Sequence, residues 1–273
     1  MTGYRFRSED IDTSRPHSAR MYDYFLGGKT HYAADVQAAE QVLSAWPRAK
    51  VWARANRSFM HRSTHWLAAE AGIRQFLDIG SGLPTEPNLH QVAQRAAADA
   101  RVVYVDHDPI VLTYADALLH SSPTGRATYL HADVLRPETI FEAPELHDTL
   151  DLSQPVALSL NALLHFVPAE QGPYELVSHL VAQLAPGSYL ALSHGAPDED
   201  PAVTARVTEL YRSSGITVVG RTRDEVARFF DGLEQVEPGV TMISAWKPEI
   251  EQPLTEVTGA DVALFAGVGR KVG

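Results

Sequence analysis

Phe76-Leu77-Asp78-Ile79-Gly80-Ser81-Gly82 is an apolar run that opens into a turn with two glycines one residue apart. About one strand–helix–strand step later, Val102-Val103-Tyr104-Val105-Asp106 is a second apolar run that ends in an acid. Together the runs describe the edge of a parallel sheet that grips a nucleotide-type ligand. The glycines let the ligand approach the backbone, and the acid takes the ribose hydroxyls. Alone, Gly80-Ser81-Gly82 reads equally as a tight strand-to-helix turn, so the surrounding sequence has to decide.

The surroundings repeat the pattern. After Gly72, apolar runs at 75–79, 101–105, 127–131, 155–160, 188–193, 233–237, 240–246 and 262–268 alternate with amphipathic stretches at 87–97, 109–120, 173–184, 201–213 and 223–230. This alternation predicts an α/β fold: a doubly wound, mostly parallel, seven-stranded Rossmann-like sheet with helices on both faces. The closing three runs have no long helix between them, which predicts an antiparallel hairpin at one edge. Upstream, from Ser18 to Ala71, the periodicity is helical. Pro47 ends or kinks one helix, and Trp52, Ala55, Phe59 and Trp66 form one apolar stripe on the next, with Gly72 at its C-cap position. The expected division is an N-terminal arm and helical cap over residues 1–71 and a ligand-binding α/β domain over residues 72–273.

The chain has 273 residues, enough to bury a sizeable core. It has no cysteine, which excludes disulfides, thiolate metal sites and cysteine nucleophiles. Its net charge of -11 disfavours broad nucleic-acid binding, which draws on counterion release by basic side chains. No apolar run approaches the ~20 residues of a membrane span, and the first residues lack the apolar segment of a secretory signal. The expectation is a cytoplasmic protein without a membrane partner.

The details around the glycines favour S-adenosylmethionine over a dinucleotide. A dinucleotide turn carries a third glycine; here Gly82 is followed by Leu83-Pro84-Thr85. Thr85 is a candidate N-cap, with Glu86 in the first helical turn, an awkward neighbour for a pyrophosphate. Asp78, two residues before Gly80, suits a ligand with a cationic amino group. Asp106 is the expected ribose ligand, with His107 beside it, while Asp108 is expected to cap the helix that Pro109 begins. Asp133, with Val134 next to it, follows the third strand where an adenine amino group would sit. Asn161 and Ala162 end the fourth strand, and His165 lies four residues on.

These motifs resemble the class I S-adenosylmethionine-dependent methyltransferases, from about Gly72 to Gly273. A closer resemblance runs the full length. Ser14-Arg15-Pro16-His17-Ser18-Ala19-Arg20-Met21-Tyr22-Asp23-Tyr24-Phe25-Leu26-Gly27-Gly28-Lys29, together with residues 76–85, is similar to a bacterial family of S-adenosyl methyltransferases first catalogued as a domain of unknown function. The resemblance implies a fold and a cofactor and no substrate. Ser81 stands where many members are expected to carry Thr.

Helices ahead of the first strand often lie over the cofactor in enzymes of this kind, so Arg20, Tyr22, Tyr24 and Lys29 are expected to line the pocket. The alternative is that the aromatics are core and the charges solvated. Gly27-Gly28 implies a tight bend or a close backbone approach. Gly28-Lys29-Thr30 is not a phosphate loop, because position 23 is Asp and no strand precedes it.

Methyl transfer from a sulfonium is an in-line displacement. It asks the protein for positioning and water exclusion, and for a base only if the acceptor must lose a proton. His165 is the first candidate base and Tyr22 a second; His17, His31 and His194 follow. The acceptor is expected to be a small molecule: Asn161-Ala162-Leu163-Leu164 replaces the Asn-Pro-Pro-aromatic motif of enzymes that methylate nucleic-acid amino groups. No metal is expected. His61 and His65 have the spacing of a zinc pair, yet the metalloprotease glutamate is missing and Arg54, Arg57 and Arg62 surround them. Those arginines read as a solvated basic face. Two rival readings are a non-catalytic cofactor sensor and an NAD(P)-dependent oxidoreductase.

Overall fold

The computed structural model describes residues 12–111, 121–197, 200–250 and 262–273. Three helices come first: α1 (Ser18–Leu26), α2 (Ala33–Ala45) and α3 (Ala49–Ala69). Then follow β1 (Gln75–Ile79), α4 (Leu89–Ala96), β2 (Arg101–Asp106), β3 (Arg126–His131), α5 (Pro137–Phe141), α6 (Pro144–Thr149), β4 (Ala157–Asn161), α7 (Pro173–Ala182) and β5 (Tyr189–Gly195). The chain continues with α8 (Pro201–Ser213), α9 (Arg223–Ala227), β6 (Leu233–Gln235), β7 (Thr241–Met242) and β8 (Leu264–Lys271).

The strands lie in the order β3-β2-β1-β4-β5-β8-β6, with β7 also paired to β8. The first five are parallel, and β8 runs antiparallel to β5, β6 and β7. The expected seven-strand path and antiparallel edge are therefore present, and β7 adds a strand of two residues. Its expected run, 240–246, instead turns into a 3-10 helix at Ile243–Ala245.

The period of two in the strands sorts the core onto two faces. Leu77, Ile79, Val103, Val105, Leu158, Leu160, Leu190 and Leu192 pack on one side with the α5, α6 and α7 residues Ile140, Leu146 and Val177. Phe76, Val102, Tyr104, Ala157 and Ala191 pack on the other with α3 and α4. Alanines at positions 55, 93, 157 and 191 leave room there for Phe59, Met60 and Trp246. α3 is thus a layer of the sheet's own core, as well as the base on which α1 and α2 rest.

Several boundaries differ from expectation. The helix after the glycine turn starts at Leu89: Asn88 is its N-cap, and Gln91 Oε1 takes the Asn88 N–H at 2.6 Å in a capping box. Thr85 is therefore not the N-cap, and its N–H donates to Asn88 Oδ1 instead. Gly72 takes φ 73° two residues beyond the actual C-cap, Glu70. Asp108 caps the turn at Pro109 as expected, accepting from Ile110 N at 3.0 Å; residues 112–120 of that expected helix, and residues 1–11 of the expected arm, lie outside the described residues.

The solvated basic face is also corrected. Arg54 and His65 are exposed, but Arg62 is buried, donating Nε to Trp246 O at 2.9 Å and Nη2 to Ile243 O at 2.7 Å. Arg57 donates to the carbonyls of Thr85 and Pro87. The carbonyls of Thr85, Pro87 and Trp246 lie outside helices and strands and that of Ile243 opens the short 3-10 helix, and each guanidinium satisfies two carbonyls at once. Arg62→Met is expected to leave both carbonyls buried and unpaired and to destabilise the protein by about 2–4 kcal/mol. Urea unfolding followed by circular dichroism measures this, with Arg62→Lys losing less.

Candidate cofactor site

β1 lies between β2 and β4, so the chain leaves it toward β2 and β3 and later returns on the other side to β4. This switch point opens a crevice at the carboxyl ends of the strands. Register places Asp78 opposite Tyr104 and Ser159, Asp106 opposite His131, and Asn161 opposite Ser193. All the acid and amide candidates of the sheet thus converge on one edge.

The glycine turn is tied to β2. Gly80 N and Ser81 N both donate to Val105 O, and Gly82 N donates to Asp106 Oδ2 at 2.8 Å. Gly80 and Gly82 have φ 72° and 64°, which side chains with a Cβ rarely adopt. A Cβ on Gly80 would lie 2.6 Å from Leu163 Cδ1, so the close approach there is already shared with this chain's own Leu163.

Asp106 is 7% exposed, and its other oxygen accepts from Asp108 N at 3.0 Å. Each carboxylate oxygen has two lone pairs, so acceptor capacity remains for ribose hydroxyls. Ala132 N donates to Asp106 O, which seats the segment holding Asp133 beside it. Asp133 Oδ1 accepts from Leu135 N in a turn, and Val134 is buried in the main core. His107 is exposed, with Nδ1 3.7 Å from Asp106 Oδ1 and Nε2 3.3 Å from His17 Nε2. His17 Nδ1 lies 3.1 Å from Asp108 Oδ2, and burial holds the His17 imidazole below its usual range.

Asp78 is 8% exposed, and burial raises its carboxyl to about 6, against the opposing pull of Ser159 and the Arg57 guanidinium. Nearby, Asn161 Oδ1 is buried without a partner among the described residues, while Asn161 Nδ2 donates to Ser159 Oγ at 2.8 Å. A buried acid whose carboxyl is pushed up by burial, beside an amide oxygen without a partner among the described residues, fits a ligand rich in donors and carrying a positive charge. S-adenosylmethionine, with its ammonium, sulfonium and ribose diol, meets that description. Ala162 has φ 51°, an uncommon backbone for a residue with a Cβ, and its N–H is held by both Ser193 O and Ser193 Oγ.

The N-terminal candidates divide. Tyr22 OH donates to Ala53 O and accepts from Asn56 Nδ2 at 2.9 Å, and Asn56 Oδ1 accepts from Ser193 Oγ. Tyr22 is therefore linked by hydrogen bonds to the Ala162 turn. Arg20 is 3% exposed, bonded through Nε to Asp35 Oδ1 at 3.1 Å and through Nη1 and Nη2 to carbonyls of Asp12 and Arg15. Tyr24 hydrogen-bonds Glu40, and Lys29 is exposed. Gly27 is the left-handed C-cap of α1, and Gly28 lies against the Asp23 carboxylate, which also takes Thr30 N and His31 Nδ1. Both readings of the glycine pair, tight bend and close approach, are met, the approaching group being the chain's own Asp23.

His165, on a 3-10 turn at Leu164–Phe166, is 5% exposed and its Nδ1 has no partner. Burial, with His194 and Arg221 nearby, holds it well below the usual imidazole range. His194 is otherwise committed. Arg221 can only donate, so His194 Nε2 accepts from it at 2.7 Å and Nδ1–H donates to Gly195 O at 2.7 Å. Arg221 also donates to Leu164 O and Val167 O, bracketing the His165 turn. Asn56, Arg57, Ser193 and Arg221 were not among the expected site residues. The only sequence signal for Asn56 and Arg57 was a polar pair interrupting the stripe of Trp52, Ala55 and Phe59.

No curated protein is detectably similar to the chain. Among solved structures, a DUF574 family protein from Streptomyces avermitilis shares 47% identity, with 96% of this chain and 99% of that chain covered and a TM-score of 0.91. A provisionally assigned methyltransferase from Thermobifida fusca shares 38% identity, with coverage of 96% and 97% and a TM-score of 0.87. An O-methyltransferase family protein from Burkholderia thailandensis has 15% identity and a TM-score of 0.53 over 83% of this chain and 60% of that chain, a likeness of fold. The model of the S-adenosyl methyltransferase family matches residues 5–272, and the chain belongs to that family.

Proposed function

We propose that this S-adenosylmethionine-dependent methyltransferase acts in the cytoplasm on a small-molecule acceptor, not on nucleic acid, with the cofactor held at the β1 switch point. Asp106, supported by His107, takes the ribose hydroxyls, and Asp133 with Val134 borders the adenine. Gly80, Ser81 and Gly82 pass the methionine half, whose ammonium meets Asp78 and Asn161 beside Ala162. The described part of the N-terminal cap, residues 12–71, covers the site, with Tyr22 and Arg20 fixing the cap and Tyr24 on its outer side. Bound there, S-adenosylmethionine supplies an electrophilic methyl group on sulfur. His165 faces the acceptor side and is placed to take a proton at Nδ1.

The observation that carries this reading is the pairing of Asp106, whose carboxylate is oriented by two backbone N–H groups, with a buried Asp78 that a cation would relieve. An acidic chain with net charge -11 supports the choice of a small acceptor. An open pocket beside His165 argues against a sensor with a blocked acceptor side. Incubating the protein with methyl-labelled S-adenosylmethionine and a metabolite pool should transfer label to a small molecule; tight binding of NAD with none of S-adenosylmethionine would overturn the reading.

Asp106→Asn is expected to weaken S-adenosylhomocysteine binding by roughly a hundredfold in calorimetry, because hydroxyl bonds to a charged acceptor are each worth about 1.5–3 kcal/mol and the amide removes the charge and replaces one acceptor oxygen with a donor. Asp78 gives a pH signature. Its folded pKa is raised, so the native state binds the extra proton. Stability without ligand should therefore be highest below about pH 4 for this group and fall as pH rises to about 6. A cationic ligand favours the ionised form, so binding near pH 6 should release a proton. Calorimetry in buffers of different ionisation enthalpy measures that release, and Asp78→Asn should abolish it.

A further inference from the structure

We propose that the pocket beside His165 is the acceptor subsite and that it admits a flat, uncharged aromatic molecule carrying a hydroxyl group. This rests on the methyltransferase reading above and adds to it a substrate class.

The pocket has a volume of ≈ 100 Å³ and is walled by Trp46, Trp52, His165, Phe166, Val207 and Tyr211, among others. It lies where α8, the start of α3 and the segments after β4 and β5 meet. A closed cavity of about 150 Å³ accommodates benzene; at ≈ 100 Å³ this pocket is smaller and holds one ring with part of it toward the open side. Trp52 stands edge-on to His165 at 5.6 Å and to Tyr22 at 6.2 Å, and Trp46 stands edge-on to Trp52 at 6.4 Å. Aromatic walls in these orientations suit a planar ring, through the edge and face contacts that aromatic pairs prefer.

Charge is excluded by what the lining lacks. Among the described lining residues there is no Asp, Glu, Lys or Arg. Arg221, bonded to His194 behind His165, is 4% exposed and spends Nη1 and Nη2 on Leu164 O, Val167 O and His194. A carboxylate or ammonium entering the pocket would shed hydration without a partner of opposite charge among the described lining residues.

The polar requirement comes from two orphaned atoms. His165 Nδ1 and Trp46 Nε1 are both buried without a hydrogen-bond partner. Gly195 lines the same pocket, and a Cβ there would lie 3.8 Å from His165 Nδ1, so a glycine backs that side of the imidazole. Trp46 Nε1 can only donate, whereas a neutral imidazole nitrogen can accept. A hydroxyl is both donor and acceptor, and it stays uncharged at neutral pH. The link to the cofactor is through the chain: Asn161 ends β4, and Ala162 and Leu163 lead directly into the His165 turn.

The test uses the full-length protein saturated with S-adenosylhomocysteine and four ring probes in calorimetry: p-cresol, toluene, benzoate and benzylamine. Saturable p-cresol binding at least about tenfold tighter than each of the other three is expected. Val207→Phe, which fills the pocket, should weaken p-cresol about tenfold or more and leave S-adenosylhomocysteine affinity unchanged. His165→Phe should erase the preference for p-cresol over toluene. Absence of saturable p-cresol binding, equal or tighter binding of benzoate or benzylamine, or indifference of p-cresol to Val207→Phe would overturn the inference while leaving the cofactor reading intact. Failure of S-adenosylhomocysteine to bind the wild-type protein would overturn both.

Discussion

Backbone and side-chain polar groups at the end of β1 have to be satisfied where the sheet's two halves diverge. Strands β2 and β4 flank β1, but the loops that follow them depart in opposite directions, leaving a gap without ladder partners. The protein fills part of that need itself. Val105 O takes two N–H groups of the glycine turn, and the Asp106 carboxylate takes Gly82 N–H and Asp108 N–H. What remains is a small set of buried atoms, Asn161 Oδ1 among them, without a hydrogen-bond partner among the described residues. Geometry of the sheet creates the site before any ligand is considered.

Much of this was legible in the sequence because it follows from short-range rules. Apolar runs of five or six residues ending in Asp or Asn mark strands buried on both faces with a polar tip. Asp78, Asp106 and Asn161 all sit within one residue of a strand end for that reason. Asp108 as a cap could be read from the proline that follows it. The start of α4 could not be, since Thr85-Glu86 and Asn88-Gln91 are both plausible capping pairs. The choice between them fell to Arg57, which holds the carbonyls of Thr85 and Pro87 outside the helix.

The arginines show the limit of pattern reading. A helix carrying Arg54, Arg57 and Arg62 has the composition of a solvated face, yet only Arg54 of the three is exposed. Long side chains bury their stems and carry the guanidinium to distant carbonyls. Arg62 reaches backbone more than 180 residues away in the chain, and Arg221 reaches the His165 turn over more than 50. No local window contains both partners of such a bond. The same is true of the Tyr22–Asn56–Ser193 chain, which joins the first helix to the end of the fifth strand.

The buried Arg20–Asp35 pair carries a consequence for how the first two helices can move. Asp35 is fully enclosed and also receives the N–H groups of His17 and Tyr32. Swinging α1 away from α2 would rehydrate one charge and strand the other, a cost of several kcal/mol for a desolvated pair. Parting α1 from α2 is therefore an expensive way to open this end of the molecule, and the two helices are held together as one unit.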